Sequence, residues 1–347
     1  MKKYFIIPFL GLLLACNQKE KANKDYVIIH GTISEQDETM KQLRLFDPST
    51  NKSTLTDIDA NGNFRDTLRL ENPTSFNVTY SGALFNLFLE NGMDLEINFE
   101  GNDVTKTLKY KGEGEEENNS LLKRVRTSNE FFRTEYENLI SLEEGDFKAK
   151  LNGFIEKLNV DLIQNGKKYS QAFIDSEHKV FESLKEGIEY QYNREVQMKK
   201  TIDKGMQSPE FVDYINYKGG KTSLSDLKGK YVYIDVWATW CGPCMYEIPH
   251  MNKLEEKFKN SNIHFVSISI DRKQDEDKWR KMIVAKNMDA GMQLLADNEF
   301  ESSFVKDYFI DGIPRFILLD PEGKIVTNDA PRPSEERTVT LLKSLGL

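Results

Sequence analysis

The chain has 347 residues and a formal net charge of −9, with 39% hydrophobic and 30% charged residues. That length favours two or three domains, and the composition is that of a globular body rather than a disordered or membrane-spanning one. The acidic balance excludes the basic face that nucleic-acid binding requires, so no nucleic-acid partner is expected.

The first residues read "MKKYFIIPFLGLLLAC". Lys2 and Lys3 form a basic n-region, and Tyr4 to Ala15 is an apolar run. The run is too short to cross a bilayer, which needs ~20 residues, and suits the h-region of an export signal. Its end, Leu13-Leu14-Ala15-Cys16, resembles a bacterial lipobox. The resemblance implies cleavage before Cys16 and lipid attachment there; an ordinary signal peptide with a chance cysteine is the alternative. Residues 1–15 then read as the signal and 16–25, with "NQKEKANKD", as a charged linker to a folded domain. The compartment expected is the cell envelope, facing away from the cytoplasm. A lipidated Cys16 would leave two thiols, Cys241 and Cys244. Disulfides persist outside the cytoplasm, but two cysteines three positions apart are no structural framework. The pair points to chemistry.

Residues 26–111 consist of short alternating runs such as "YVIIHGTIS", "KQLRLFD", "STLTDID", "LFNLFLE", "DLEINFE" and "TKTLKY". Turn signals separate them, among them Asn61-Gly62, Asn72-Pro73 and Asn91-Gly92. The pattern predicts an antiparallel β-sandwich or open barrel. It holds no catalytic constellation, and His30 reads as a packed or surface strand residue.

Residues 112–204 form the next region, and "KGEGEEENNS" (111–120) reads as a linker or loop at its start. The hydrophobic period then changes to three and four. Phe147, Leu151, Phe154, Leu158 and Leu162 are one such series, and Phe173, Phe181, Leu184, Ile188 and Tyr192 another. Three amphipathic helices are predicted, broken near Glu144-Gly145 and Asn165-Gly166.

From residue 205 to 347 strand and helix patterns alternate. "KYVYIDVWA" reads as a buried strand, followed by a helix from about Cys241 to Lys259. "IHFVSISID" is a strand and "EDKWRKMIVAK" a helix. "RFILLD" and "KIVTN" form a hairpin, and "SEERTVTLLKSL" is a closing helix. The order implies a central mixed sheet covered by helices.

The strand delivers Trp240 and Cys241 to the turn before the helix. Cys241 then sits at the helix N-terminus, where unpaired N–H groups and the macrodipole favour an anion. Pro243 suits the first turn because it has no N–H to lose. Cys244 lies one turn further in and is expected to be more buried. Cys241 is therefore the attacking thiolate and Cys244 the resolving thiol.

"IDVWATWCGPC" resembles the active-site strand and turn of thioredoxin-fold oxidoreductases, and "CGPCMYEIPHM" is similar to their TlpA/ResA-like membrane-anchored branch. The resemblance covers roughly residues 206–347. Residues 26–110, with "GTIS", "DANGNF" and "LFLENGMDLEI", resemble a small β-domain of unknown function that precedes such domains in bacterial lipoproteins. The first resemblance implies an α/β thioredoxin-like C-terminal domain with Cys241 and Cys244 as its redox pair. It implies that Asp235 is the buried acid beneath the pair, able to take a proton from Cys244; a structural strand acid is the alternative. Glu247 matches the branch's active-site glutamate, against the reading of an exposed helix residue. Pro249 falls inside the helix and should kink it. Ile313-Pro314 matches the cis-proline facing the pair, leaving the Ile313 backbone free to bind an extended substrate, with Trp240 alongside. Arg315 departs from the usual threonine there; its guanidinium either lowers a thiol pKa or faces solvent.

No cofactor and no metal are expected. A zinc site would need four ligands, and only His250 and His264 are at hand. A haem-attachment site would need histidine after Cys244, where Met245 stands. A thiol-peroxidase relative and a binding or scaffold lipoprotein are the alternatives kept. The reading reached is an exported, lipid-anchored thiol–disulfide oxidoreductase, in the reducing direction. Its substrates would be protein disulfides, in cytochrome c maturation or disulfide repair, and a membrane dithiol would supply its electrons.

Overall fold

The computed structural model describes residues 25–347. The signal, Cys16 and most of the charged linker lie outside the described residues. The described chain divides into two compact units, one reaching Glu189 and the other running from Tyr190 to Leu347.

The first unit opens with β1 (Val27–Ser34), β2 (Gln42–Asp47), β3 (Lys52–Asp57), β4 (Asn63–Leu68), β5 (Thr74–Tyr80), β6 (Ala83–Leu89) and β7 (Asp94–Glu100). A single turn, α1 (Val104–Thr107), precedes β8 (Lys109–Glu113). The strands form two four-stranded sheets, ordered β4-β1-β7-β8 and β3-β2-β5-β6. Alternation drives the packing: β7 buries Leu95, Ile97 and Phe99 and turns the intervening residues outward. The two inner faces meet where Phe99 packs edge-on against Tyr80 and Phe85, with ring centroids 5.6 Å apart in each pair. The sandwich is not wholly antiparallel, because β1 and β7 run parallel. The expected strand "TKTLKY" is instead α1 and the start of β8.

Residues 111–120 are not a linker. β8 runs to Glu113, and α2 (Glu115–Thr134) begins after Gly114, whose φ of 100° turns the chain. Glu115, Glu116 and Glu117 suit the positive end of the helix dipole. Asn118 then joins the helix to the sheet: its Oδ1 accepts from the Phe88 N–H and its Nδ2 donates to the Phe88 carbonyl, each at 2.9 Å. After α3 (Tyr136–Ile140) come α4 (Glu144–Asn165) and α5 (Gln171–Thr201). The predicted stripe of Phe147, Leu151, Phe154, Leu158 and Leu162 is buried. The helices break where expected, between the end of α3 at Ile140 and the start of α4 at Glu144, and again after Asn165. His30 pairs with Asp94 at 3.2 Å.

The second unit takes in the last turns of α5, starting upstream of the boundary expected at 205. Its further elements are β9 (Tyr214–Asn216), β10 (Lys221–Thr222), β11 (Tyr231–Trp237), α6 (Gly242–Phe258), β12 (Ile263–Ser269), α7 (Glu276–Ala285) and β13 (Met292–Leu295). They continue with α8 (Ser303–Asp307), β14 (Arg315–Leu319), β15 (Ile325–Thr327) and α9 (Glu336–Ser344). One mixed sheet has the order β10-β9-β13-β12-β11-β14-β15. β11 lies within it, parallel to β12 and antiparallel to β14. It is buried on both faces: Ile234 and Val236 belong to one core, and Tyr233 to another with Met251, Leu254, Phe316 and Leu342. That double burial explains its apolar sequence, which Asp235 alone interrupts. The thioredoxin-like C-terminal fold and the sheet-rich region with a helical middle are both as expected.

Candidate active site

Strand β11 ends at Trp237, and a short turn carries the chain into α6. The turn is fixed from β12's end. Thr239 donates to the buried Asp271 carboxylate through its N–H at 2.9 Å and its hydroxyl at 2.7 Å. The Cys241 N–H then closes on the Ala238 carbonyl at 3.1 Å. Cys241 is the N-cap of α6, with Gly242 and Pro243 in the first turn. The chain enters the helix there because a proline in the first turn forfeits no helical hydrogen bond.

Cys241 and Cys244 are joined by a disulfide, with Cα atoms 5.3 Å apart. The Cys244 N–H points at Cys241 Sγ from 3.1 Å. In the reduced form that donor and the helix dipole both stabilise a thiolate at Cys241. The expected contrast in burial is small, since Cys241 is 4% exposed and Cys244 2%. The exposed group is Trp240, at 58%, whose ring lies 6.3 Å from Phe300. The Ile313–Pro314 peptide is cis, and the Ile313 carbonyl oxygen stands 3.7 Å from Cys241 Sγ. Cys241, Trp240 and the Ile313–Pro314 segment are thus brought together.

Asp235 is buried in β11, across from Ser267 of β12 and Phe316 of β14. Burial pushes its carboxyl up from 3.8 to about 8. The Ser267 hydroxyl, 3.5 Å from Oδ2, opposes that rise, and the charges of Glu247 and Glu255 add smaller increases. Oδ1 has no partner among the described residues. A carboxyl of this kind holds its proton near neutral pH and can exchange it there.

Glu247 is not the exposed helix residue of the alternative reading; it is 3% exposed. Its carboxylate accepts from the Ser334 N–H at 3.0 Å and the Ser334 hydroxyl at 2.9 Å. It ties α6 to the segment before α9 and adds negative potential at Asp235. Arg315 is largely sheltered, its guanidinium engaged by a carboxylate. Its side chain is 19% exposed and pairs with Asp329 at 3.3 Å. Pro249 lies inside α6.

Sequence reasoning missed Ser267, Ser334, Thr239 and Asp271. Asp271 carried a weak signal, as the acid closing "IHFVSISID" beside a neighbouring strand's turn. Ser334 carried none, being 87 positions from Glu247.

Residues 203–343 match the redoxin family model. The thiol–disulfide oxidoreductase ResA of Bacillus thuringiensis subsp. konkukian is 30% identical over 141 residues, covering 41% of this chain and 78% of the relative. The ResA of Bacillus subtilis is 30% identical over 135 residues, covering 39% of this chain and 72% of the relative. The thioredoxin domain of a thiol–disulfide oxidoreductase from Bacteroides vulgatus is 31% identical, with a TM-score of 0.37, covering 42% of this chain and 98% of that one. With a redoxin domain built around a vicinal cysteine pair, the chain belongs to the ResA-like thiol–disulfide oxidoreductases.

Proposed function

We propose that the protein is a protein-disulfide reductase of the cell envelope, anchored by lipid at Cys16. The observation that carries the reading is the Cys241–Cys244 pair at the N-terminus of α6; the resemblance to thioredoxins sets Asp235, a buried carboxyl raised to about 8, beneath it. In the reduced enzyme the Cys241 thiolate attacks one sulfur of a substrate disulfide. A bond forms from Cys241 Sγ to that sulfur, the substrate S–S bond breaks, and the departing thiolate takes a proton from water. Cys244 gives its proton to the Asp235 carboxylate and attacks Cys241 Sγ. The mixed disulfide breaks, the second substrate sulfur leaves and is protonated, and the enzyme disulfide closes. Two electrons pass from enzyme to substrate, and an external dithiol restores them. Gly242-Pro243 between the cysteines resembles reducing thioredoxins and favours this direction. In an oxidising compartment the dithiol donor belongs at the membrane, where Cys16 would hold the enzyme. Apocytochrome c and wrongly paired envelope proteins are the substrates proposed.

The test is turnover of the full, reduced chain on an insulin-type protein disulfide, with the reduction potential measured beside it. Turnover lost in Cys241→Ser and a potential near the roughly −270 mV of thioredoxin support the reading. A potential near the roughly −120 mV of a strong oxidant reverses the direction. No turnover from folded, reduced protein ends it.

A further inference from the structure

Within the second unit, Arg194 and Met198 in the last turns of α5 and Ile202 just past its end follow the spacing i, i+4, i+8. Ile202 is fully buried in the unit's core, Met198 packs on that core, and Arg194 reaches the loop before β14. Arg194 Nη2 donates to the Phe309 carbonyl at 2.5 Å, and Nη1 pairs with Asp311 Oδ2 at 3.0 Å. The arginine side chain is 15% exposed and that of Asp311 70%. The charge-assisted bond to the carbonyl is therefore the sheltered contact, and the ion pair the screened one. Phe309 adopts a φ of 52°, in the left-handed region that bulky residues avoid, so its peptide needs holding. Four residues on, the same loop delivers the Ile313 carbonyl to Cys241 Sγ.

We propose that Arg194 is a positioning residue for disulfide exchange, acting through the Phe309–Gly312 loop. It fixes that loop from the upstream helix, so that the Ile313 carbonyl stands against Cys241 and the adjoining backbone is presented to substrate. The proposal rests on the reductase reading and extends it to a residue upstream of the family match, which begins at 203. Two effects follow from the geometry. A loosened loop orients an extended substrate poorly, which lowers kcat/KM chiefly through KM. The Ile313 carbonyl can also accept from the Cys241 thiol, an interaction that favours the protonated form. Losing it moves Cys241 ionisation to lower pH. A residue that merely attached α5 to the core would do neither.

The experiment uses the reduced full chain and compares Arg194→Ala, Arg194→Lys and Met198→Ala. It reads kcat and KM on a peptide disulfide, the pH profile of iodoacetamide alkylation at Cys241, and thermal unfolding. Arg194→Ala is expected to lower kcat/KM about tenfold and shift the alkylation profile to lower pH. Arg194→Lys should recover most of the loss, because an ammonium still donates to the Phe309 carbonyl. Met198→Ala should lower the unfolding temperature and leave kinetics and profile as they are. A folded Arg194→Ala with wild-type kinetics and profile overturns the proposal, as does Met198→Ala producing the same changes. Should Arg194→Ala not fold, Arg194→Met keeps the aliphatic packing and removes the donor to the Phe309 carbonyl: the same loss of kcat/KM and shift to lower pH supports the proposal, and wild-type kinetics and profile overturn it. If the wild type reduces no disulfide, the reductase reading fails, and the alkylation profile alone decides the role of Arg194.

Discussion

The two units treat buried acids differently. In the first, Glu177 is nearly inaccessible, and Arg124 Nε bonds it at 2.5 Å. Burial still raises the Glu177 carboxyl, but the arginine opposes that rise. In the second, among the described residues, Asp235 and Glu255 are buried without a cation bonded to either, and each keeps one carboxyl oxygen without a protein partner. Asp235 rises to about 8 and Glu255 to about 7, burial being the largest cause for both. A buried acid with its counter-ion is architecture. One buried without a counter-ion keeps its proton to higher pH and is a candidate for proton exchange.

The contrast is open to direct attack. The largest effect is expected from Arg124→Ala, which strands a buried carboxyl. It should cost about 3–5 kcal/mol at neutral pH, read by urea unfolding, while Cys241 keeps its reactivity. The loss should shrink below pH 4.5, where Glu177 is protonated in both folded and unfolded chains. A neutral outcome would mean that the pair adds nothing to the first unit.

Asp235→Asn comes next. The folded carboxyl binds its proton more tightly than the unfolded one, so the wild type should lose stability as pH rises from 3.8 to about 8. The asparagine variant lacks that slope, and at pH 8 should be the more stable by on the order of 4 kcal/mol. Its turnover at pH 7 should fall about tenfold to a hundredfold, with the resolving step slowed. Equal pH slopes in both proteins would remove Asp235 from the contrast.

The smallest effect sharpens the comparison from within the second unit. Glu247 is buried there too, yet has Ser334 as partner. Ser334→Ala removes one of its two hydrogen bonds and should cost about 1–2 kcal/mol in thermal unfolding, with the backbone donor remaining. A much larger loss would show that the hydroxyl, rather than the backbone, holds the segment before α9.

What could be read in advance follows from how local each signal is. Strand β11 announced itself by a run of apolar residues, and the α6 N-terminus by Cys-Gly-Pro-Cys. The loop facing the sulfurs was legible only through Ile313-Pro314. The hairpin of β9 and β10 was missed because its strands have three and two residues, though Gly219-Gly220 marked the turn. β13, four residues long, owes its existence to pairing with β12 and β9 rather than to its own pattern. The acidic stretch at 111–120 looked like a linker because the partners of Asn118 lie 30 residues upstream in β6. For the same reason Glu247 showed nothing of Ser334, and Arg315 nothing of Asp329.

The near-complete enclosure of both sulfurs has a consequence for client choice. With Cys241 4% and Cys244 2% exposed, an incoming sulfur must find its room in the backbone around Trp240 and Ile313. If the protein reduces protein disulfides as proposed, selection would then depend on how loosely a client is folded rather than on any sequence mark.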